Sequence, residues 1–517
     1  MLKRVFSLLS AQKRALRAYR NWVERLPISQ NSILIDQENG LSLDGSMYYL
    51  MRELLTKPEY GGYSVYFAVA QENKDEFERR LEDRGLSPVL VVRGTKEYLY
   101  ALATAKYLLT DNTFPTYMVK REGQVLLNTW HGIPLKTLGR SEKTDLTKCG
   151  NVQRNLALAD YLLFPNQNME RLFMRDYMLE GLCNARIIRC GYPRNEAFHA
   201  SQGRADGIRR YAWLPTFRGV GEGRGKEPLW LMPALEQLDA LLQDNEVLYL
   251  KLHAVQQGSV DLSRFAHIAP MPTDRELYEV LAQCDGLLTD FSSVMFDFPL
   301  GGHKVVLWAP DKDEYVLERG TYTRMEDLPF CMVFCAEDAI RGLRSPKSYD
   351  DSALMEQCWP GETRGASELV LHTVLAEDNT NATPAQKTSY NNETLVYSEL
   401  GGDLLALNAF LLPLMANGPV RLAFPMNCGV GHEEFLASLP ESVRLTPLWG
   451  LLLSSIPERI EVILASKVAA GPLAHTADSV YSLERRRLFG NVVFAKIVVH
   501  DGKDLRWTDF FRWLERQ

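Results

Sequence analysis

The chain has 517 residues, 46% hydrophobic and 24% charged, proportions of a globular protein that exclude a disordered, collagenous or coiled-coil chain as a whole. Lys and Arg number 58 against 65 Asp and Glu, a net charge of −7, which argues against a basic nucleic-acid binder. No uninterrupted apolar run reaches the length of a transmembrane helix.

Residues 1–27 carry Lys3, Arg4, Lys13, Arg14, Arg17, Arg20 and Arg25 against Glu24 alone. Val5, Leu8, Leu9, Leu16, Tyr19, Val23 and Leu26 recur at helical spacing, with Trp22 beside them. Two readings fit: a basic amphipathic helix lying on an anionic membrane surface, or a helix packed on its own domain with its basic face in water. Charges interrupt the segment too early for a signal peptide.

From Ile33 onward, short apolar runs alternate with helical patterns: SILID, then GSMYYLMRELL; YSVYFAV, then KDEFERRLEDRG; PVLVV, then KEYLYALATA; then KYLLTD, QVLLNTW, YLLFP, MERLFMRDYM and ARIIRCG. This alternation predicts a parallel sheet wrapped by helices. Around Phe198–Asp206 a polar stretch marks a crossing, and YAWLPT, MPALEQLDALL, EVLYLKLH, RELYEVLAQC, GLLTD, a helix from Ser292 and KVVLWAP begin a second set. The fold class is therefore α/β: two doubly wound domains, 31–200 and 207–375, facing across a cleft. Residues 376–394 are polar and read as a linker. Residues 395–517 alternate again, from TLVYSEL to NVVFAKIVVH, as a smaller α/β domain. The eight cysteines form no CxxC pair and read as buried, reduced thiols.

Ligands of such sheets sit outside the carboxyl ends of the strands. His131 follows the strand QVLLNTW and His253 ends the strand EVLYLKLH, one in each domain. Lys251 and His253 are two apart on a strand and share a face, a pairing suited to an anion such as pyrophosphate. Gly132 permits a tight turn, Pro134 suits a first helical turn, and Lys136 follows. Asp290 ends the strand GLLTD, and Ser292 and Ser293 open a helix whose N-terminus would attract phosphate, with Asp297 one turn in. Arg194, Arg218 and Arg319 fall on the same side, and several arginines on one cleft point to a polyanionic substrate. GVGEGRGKE, residues 219–227, lacks the order of a P-loop and reads as an insertion beside the cleft. His432, in GVGHEEF, reads as a surface or capping residue.

The ordered set NTWHGIPLKTLG, GYPRNEAF, LPTFRG, LKLHA, LLTDFSSVMFDF and ERGTY resembles the CDP-glycerol glycerophosphotransferase family of teichoic-acid and capsule polymer transferases, over roughly residues 30–375. The resemblance implies a GT-B fold of two Rossmann-like domains, residues 31–200 on the acceptor side and 207–375 on the CDP-donor side. It also implies transfer of a polyol phosphate from a CDP-polyol donor to a glycan, lipid-linked primer or growing polymer, at the cytoplasmic face of the membrane. By motif, His131 matches the family's catalytic histidine and His253 its second histidine. Asp290, Ser292, Ser293 and Asp297 match the donor-binding segment, and Arg218 and Arg319 match arginines near the phosphates. No cofactor and no metal are implied. Two positions depart from the pattern: Ala254 stands where Pro is usual and Gly219 where an acidic residue is common. An ordinary GT-B sugar transferase, or an idle scaffold, are the rival readings.

Overall fold

The computed structural model describes residues 2–142, 146–200, 204, 206–216, 230–252, 260–361, 364–376, 382–384, 392–450, 472–502 and 505–517, with side chains from residue 14 onward except at 384, 472–477 and 505–506. His253, Arg218 and the glycine-rich 219–227 lie outside the described residues.

The first sheet contains β1 (Ser29–Asp36), β2 (Ser64–Val69), β3 (Val89–Val92), β4 (Ala105–Thr110), β5 (Val125–Asn128), β6 (Tyr161–Leu163) and β7 (Arg186–Ile188), in the spatial order β7-β6-β5-β4-β1-β2-β3. All its neighbours are parallel. Strands buried on both faces need continuous apolar runs rather than alternation, and Ile33, Leu34 and Ile35 in β1, like all of β5, are buried. The chain winds outward from β1 to β3, then returns to place β4 on the other side of β1 and winds outward again. That reversal opens a crevice at the carboxyl ends of β1 and β4.

The second sheet contains β8 (Arg209–Leu214), β9 (Glu246–Leu250), β10 (Ile268–Pro270), β11 (Gly286–Thr289), β12 (Lys304–Trp308) and β13 (Cys331–Val333), in the order β10-β9-β8-β11-β12-β13. Its winding reverses between β8 and β11, again at parallel neighbours. The helix Ala366–Leu375 then returns to pack on the helix Ser46–Thr56 of the first half. Inside the expected linker, residues 382–384 form β14 (Ala382–Pro384), which pairs antiparallel with β7 at the first sheet's edge.

The third sheet contains β15 (Thr394–Tyr397), β16 (Val420–Pro425), β17 (Val443–Leu448) and β18 (Lys496–Val499), all parallel, in the order β17-β16-β15-β18. It is fastened to the first half by buried arginines. Arg421, fully buried, donates to Glu393 at 3.0 Å, to Thr446 at 3.1 Å and to the backbone carbonyls of Met178 and Glu180 at 3.1 and 2.6 Å. Arg140 donates to the carbonyl of Val443 at 2.7 Å, and Arg487 to that of Thr116 at 2.7 Å. Arg154, in the first half, donates to the carbonyl of Arg487 at 3.3 Å, and burial brings its pKa down to about 9.

The helix α1 (Leu2–Arg25) settles the two readings of residues 1–27 for its second half. Tyr19 and Val23 are buried in the first domain's core, Trp22 packs edge-on against Tyr100 at 5.6 Å, and the Tyr19 hydroxyl accepts the backbone N–H of Val119 at 3.0 Å. The apolar stripe over residues 16–26 therefore faces protein. Five cysteines are buried, but Cys331 and Cys335 are exposed, against the expectation of buried thiols throughout. Among the described residues, no helix is long and apolar enough to cross a membrane.

Arg421→Ala would leave two buried carbonyls without their donor and would weaken the pairing of Glu393. Removing one partner of a buried ion pair costs about 3–5 kcal/mol. Urea unfolding followed by tryptophan fluorescence should show a loss of that size, whereas a loss under about 1 kcal/mol, as for a surface pair, would show that docking does not depend on this arginine.

Candidate functional site

The carboxyl ends of the first and second sheets line one cleft of about 1510 Å³. The first domain contributes Gln37, Glu38 and Asn39 after β1, Asp111 and Asn112 after β4, and residues 130–136 after β5. The second contributes Leu214 at the end of β8 with Pro215 and Thr216 after it, Lys251 after β9, Phe291–Ser293 after β11, and Arg319. The two winding reversals thus face each other.

His131 sits at the centre of the first wall. Its Nδ1 lies 2.8 Å from the backbone carbonyl of Asp111, a partner that can only accept. Nδ1 therefore carries the hydrogen, and Nε2 is left with its lone pair. The ring stacks on Trp130 at 4.3 Å, and Trp130 is held by Phe173 at 4.9 Å. Trp130 itself adopts φ +55°, a left-handed conformation costly for an aromatic residue, which aims the next residue out of the sheet. Burial lowers the histidine's pKa from its ordinary value, so the neutral base is favoured.

Gly132 brings the two domains together. A Cβ there would come within 2.7 Å of Ser293 Oγ and 3.1 Å of an Arg194 nitrogen, at φ +144°. Only a residue without a side chain fits this approach. Beyond it the chain does not enter the helix expected at Pro134. Lys136 instead pairs with Thr321 in an antiparallel bridge between the domains, beside a bond from Tyr322 N–H to the Leu135 carbonyl at 2.8 Å.

Arg194 is buried and engaged on both sides of the cleft. Nη1 donates to the His131 carbonyl at 2.9 Å and Nη2 to Asp297 Oδ2 at 2.7 Å, while Tyr278 donates its hydroxyl to the same Asp297 oxygen at 3.0 Å. Asp297 is fully buried and does not line the cleft; it holds the arginine. Asp290 likewise faces inward and accepts the backbone N–H of Thr216 at 2.9 Å, fixing the loop after β8. The segment from Ser292 is only a short helix, Val294–Asp297, and Ser293 makes no side-chain capping bond, contrary to the expected N-cap. Its hydroxyl faces Gly132 across the cleft.

Lys251, just past β9, lies 3.6 Å from Asp44 of the first domain. Lys136 lies 5.8 Å from the Tyr315 ring, and Arg319 lies 3.7 Å from Glu142. A further tie between the domains is Glu276, which accepts the Gly45 N–H at 2.6 Å and the Tyr49 hydroxyl at 2.9 Å. Burial, with Asp44 nearby, pushes its pKa up to about 7. The structure brings His131, Lys136, Arg194, Lys251, Ser292, Ser293 and Arg319 to one cleft, and sets Asp290 and Asp297 behind it. His432 precedes the helix Glu433–Ser438 in the third domain, its Nδ1 2.9 Å from the Cys428 carbonyl.

The sequence of the CDP-glycerol:poly(glycerophosphate) glycerophosphotransferases matches residues 18–353, the span that builds both walls of the cleft. The chain belongs to this family. Among curated members it is 30% identical over 263 residues to the teichoic acid poly(glycerol phosphate) polymerase of Staphylococcus epidermidis, covering 46% of this chain and 36% of that one. It is 28% identical over 359 residues to the polymerase of the same description from Bacillus subtilis, covering 63% and 45%. The chain thus spans less than half the length of these two relatives. Among solved structures, the wall teichoic acid polymerase TagF superposes with a TM-score of 0.60 at 23% identity, over 73% of this chain and 97% of that one. The family's two-domain GT-B-like fold is the one described above, and the third sheet lies beyond the matched residues.

Sequence reasoning passed over Gln37, Glu38, Asn39, Asp111, Asn112 and Tyr278. The rule that selected His131, a polar residue just past a strand's carboxyl end, also selects the run after SILID and the Asp-Asn after KYLLT.

Asp297→Ala would strand a buried guanidinium and the Tyr278 hydroxyl. The expected loss of stability is about 3–5 kcal/mol, with a smaller loss for Asp297→Asn, which keeps a hydrogen-bonding group of the same shape. An unchanged denaturation midpoint in Asp297→Ala would contradict the role of this pair.

Proposed function

We propose that the chain transfers a polyol phosphate, most simply glycerol phosphate, from a CDP-polyol donor to a hydroxyl of a glycan, a lipid-linked primer or a growing polymer, releasing CMP in the synthesis of a cell-surface polymer. The observation that carries this reading is His131: a neutral imidazole, tautomer fixed, placed between two facing strand-end crevices in a family of glycerophosphotransferases. Support comes also from the relatives, which are named as poly(glycerol phosphate) polymerases.

In this reading, His131 Nε2 takes the proton of the acceptor hydroxyl as its oxygen attacks the distal phosphorus. The phosphorus–oxygen bond to CMP breaks, and the electron pair leaves with CMP. Lys251, Lys136 and Arg319 offset the charge gathering on the phosphate oxygens, and Ser292 and Ser293 offer hydroxyls to the donor on the second wall. His253 and Arg218 join the donor site by family resemblance. Arg194, Asp290 and Asp297 position the walls.

His131→Ala should reduce acceptor-dependent CMP release by at least about 10²–10⁴-fold, the usual share of a positioned base, while CDP still binds in calorimetry. Near-normal turnover would refute the assignment. Because burial lowers the histidine's pKa, its basic form persists further into acid. In the wild type, kcat/KM should therefore rise with pH and level off below 6.5, the ordinary histidine value.

We also propose attachment to the inner face of the cell membrane through the start of α1. The packing of Tyr19 and Val23 confines this role to residues 1–13 and the exposed Arg14 and Arg17. Each basic residue near an anionic surface contributes about 1 kcal/mol, weakened by salt. Deleting residues 2–13 should leave the fold intact and abolish co-sedimentation with phosphatidylglycerol vesicles at low salt. Equal co-sedimentation of both forms would overturn the proposal.

A further inference from the structure

His131 must carry a positive charge where one is disfavoured. When Nε2 takes the acceptor's proton, the ring becomes an imidazolium while Nδ1 stays bonded to the Asp111 carbonyl. In a serine-hydrolase triad a carboxylate on the second nitrogen stabilises that charge; a carbonyl carries no charge with which to do so. The surroundings oppose it. Burial lowers the histidine's pKa, Arg194 and Lys136 push the same way, and Lys251 and Arg319 line the same cleft. The Asp111 carboxyl is a poor counter-charge, because burial, with Glu38 alongside, pushes its pKa well above the usual range and favours the neutral form. Among the side chains that act most on the ring, Glu38 is the one that favours its charged form.

The backbone holds Glu38 in this place. β1 lies beside β4 and β4 beside β5, so the residues that follow these strands, Glu38, Asp111 and His131, gather at one end of the sheet. Asp111 bonds to both of the others: its Oδ1 accepts the Glu38 N–H at 3.0 Å, and its carbonyl meets His131 Nδ1 at 2.8 Å. The far side of the turn is pinned by the Ala70 N–H, which donates to the Gly40 carbonyl at 2.8 Å. Between these two bonds Glu38 adopts φ +43° and Asn39 φ +62°. Asn tolerates this left-handed region, but a glutamate is strained there. Strain of this kind persists only where the surroundings hold it, and it gathers at functional sites. The Glu38 side chain lines the cleft together with His131.

We propose that Glu38 is a positioning residue for the base: its carboxylate, set over the strand ends by Asp111, offsets the charge of the imidazolium formed during transfer. This deepens the transferase reading above and rests on it. In the open cleft water screens the pair, and substrates that fill the cleft displace that water and strengthen it.

The ring carbons of His131, labelled with carbon-13 and assigned with His131→Ala, report its titration by NMR without any turnover. Glu38→Gln keeps the side chain's size and removes its charge. The pKa of His131 should then fall by about 0.5, a fraction of what a close, unscreened charge gives. With the octyl ester of glycerol 1-phosphate as acceptor, the acid limb of kcat/KM should move the same way and kcat should drop by about tenfold. Glu38→Asp, which keeps the charge, should recover most of kcat and the wild-type limb. CDP affinity and the melting temperature should stay at wild-type values in both. A residue that only shapes the turn would give equal losses in the two variants and an unmoved limb, and that result would overturn the proposal. So would an unchanged His131 titration in Glu38→Gln, whatever its activity. If the titration moves but the wild type releases no CMP from CDP-glycerol, the transferase reading fails and the pairing of Glu38 with His131 stands.

Discussion

One buried ion pair determines how the two halves of the cleft meet. Arg194, from the first domain, reaches Asp297 in the second and on its other arm grips the carbonyl of His131. A guanidinium out of water needs its charge paired, and here Asp297 takes Nη2 and a backbone carbonyl takes Nη1, while Nε has no partner among the described residues. The tyrosines at 192 and 278 stack on it from 4.8 and 4.9 Å. The same charge pairing that joins the domains therefore also fixes the backbone that presents the histidine. Gly132 belongs to this arrangement, because a Cβ there would collide with Ser293 and crowd Arg194.

With the halves so joined, the placing of the cleft follows from topology. Each sheet reverses its winding once, and each reversal opens at the strands' carboxyl ends. Because the domains face each other, the crevices do too. Acidic and amide groups gather at the first, while hydroxyls line the second and lysines and an arginine stand around it. His131 stands between, on the loop after β5, next to β4 and hence next to Asp111.

Much of this was legible in the sequence, for physical reasons that also explain what was not. Parallel strands buried on both faces write themselves as apolar runs, so SILID, QVLLN and GLLT were readable, and with them the strand-end positions of His131 and Lys251. Arg194 was readable as a cleft arginine but not as a partner of Asp297, because 103 residues separate the two and no local signal links them. The crevice at Gln37 and Asp111 depends on β1 lying beside β4, a pairing of non-consecutive strands. Asp and Asn after a strand are ordinary turn residues until that neighbour is known. The stripe on α1 was ambiguous in principle, since a helix facing a core and a helix facing lipid have the same periodicity. Ser292 and Ser293 had the residue type for a cap without the geometry, and the helix they begin is too short to need one.

The docking of the third sheet has a mechanical consequence. Arg421, Arg140, Arg154 and Arg487 tie it to the first domain through main-chain carbonyls on both sides, and β14 stitches the intervening chain onto the first sheet's edge. The first and third sheets thus act as one heavy block. An opening of the cleft would then move the second sheet against that block. Its chain crossings, after the helix Glu196–Ala200 and near Trp359, lie beside the arginine pair. The crossings and His131 are then neighbours, so a rotation about the crossings would part the rim of the cleft more than it would part the two walls beside the histidine.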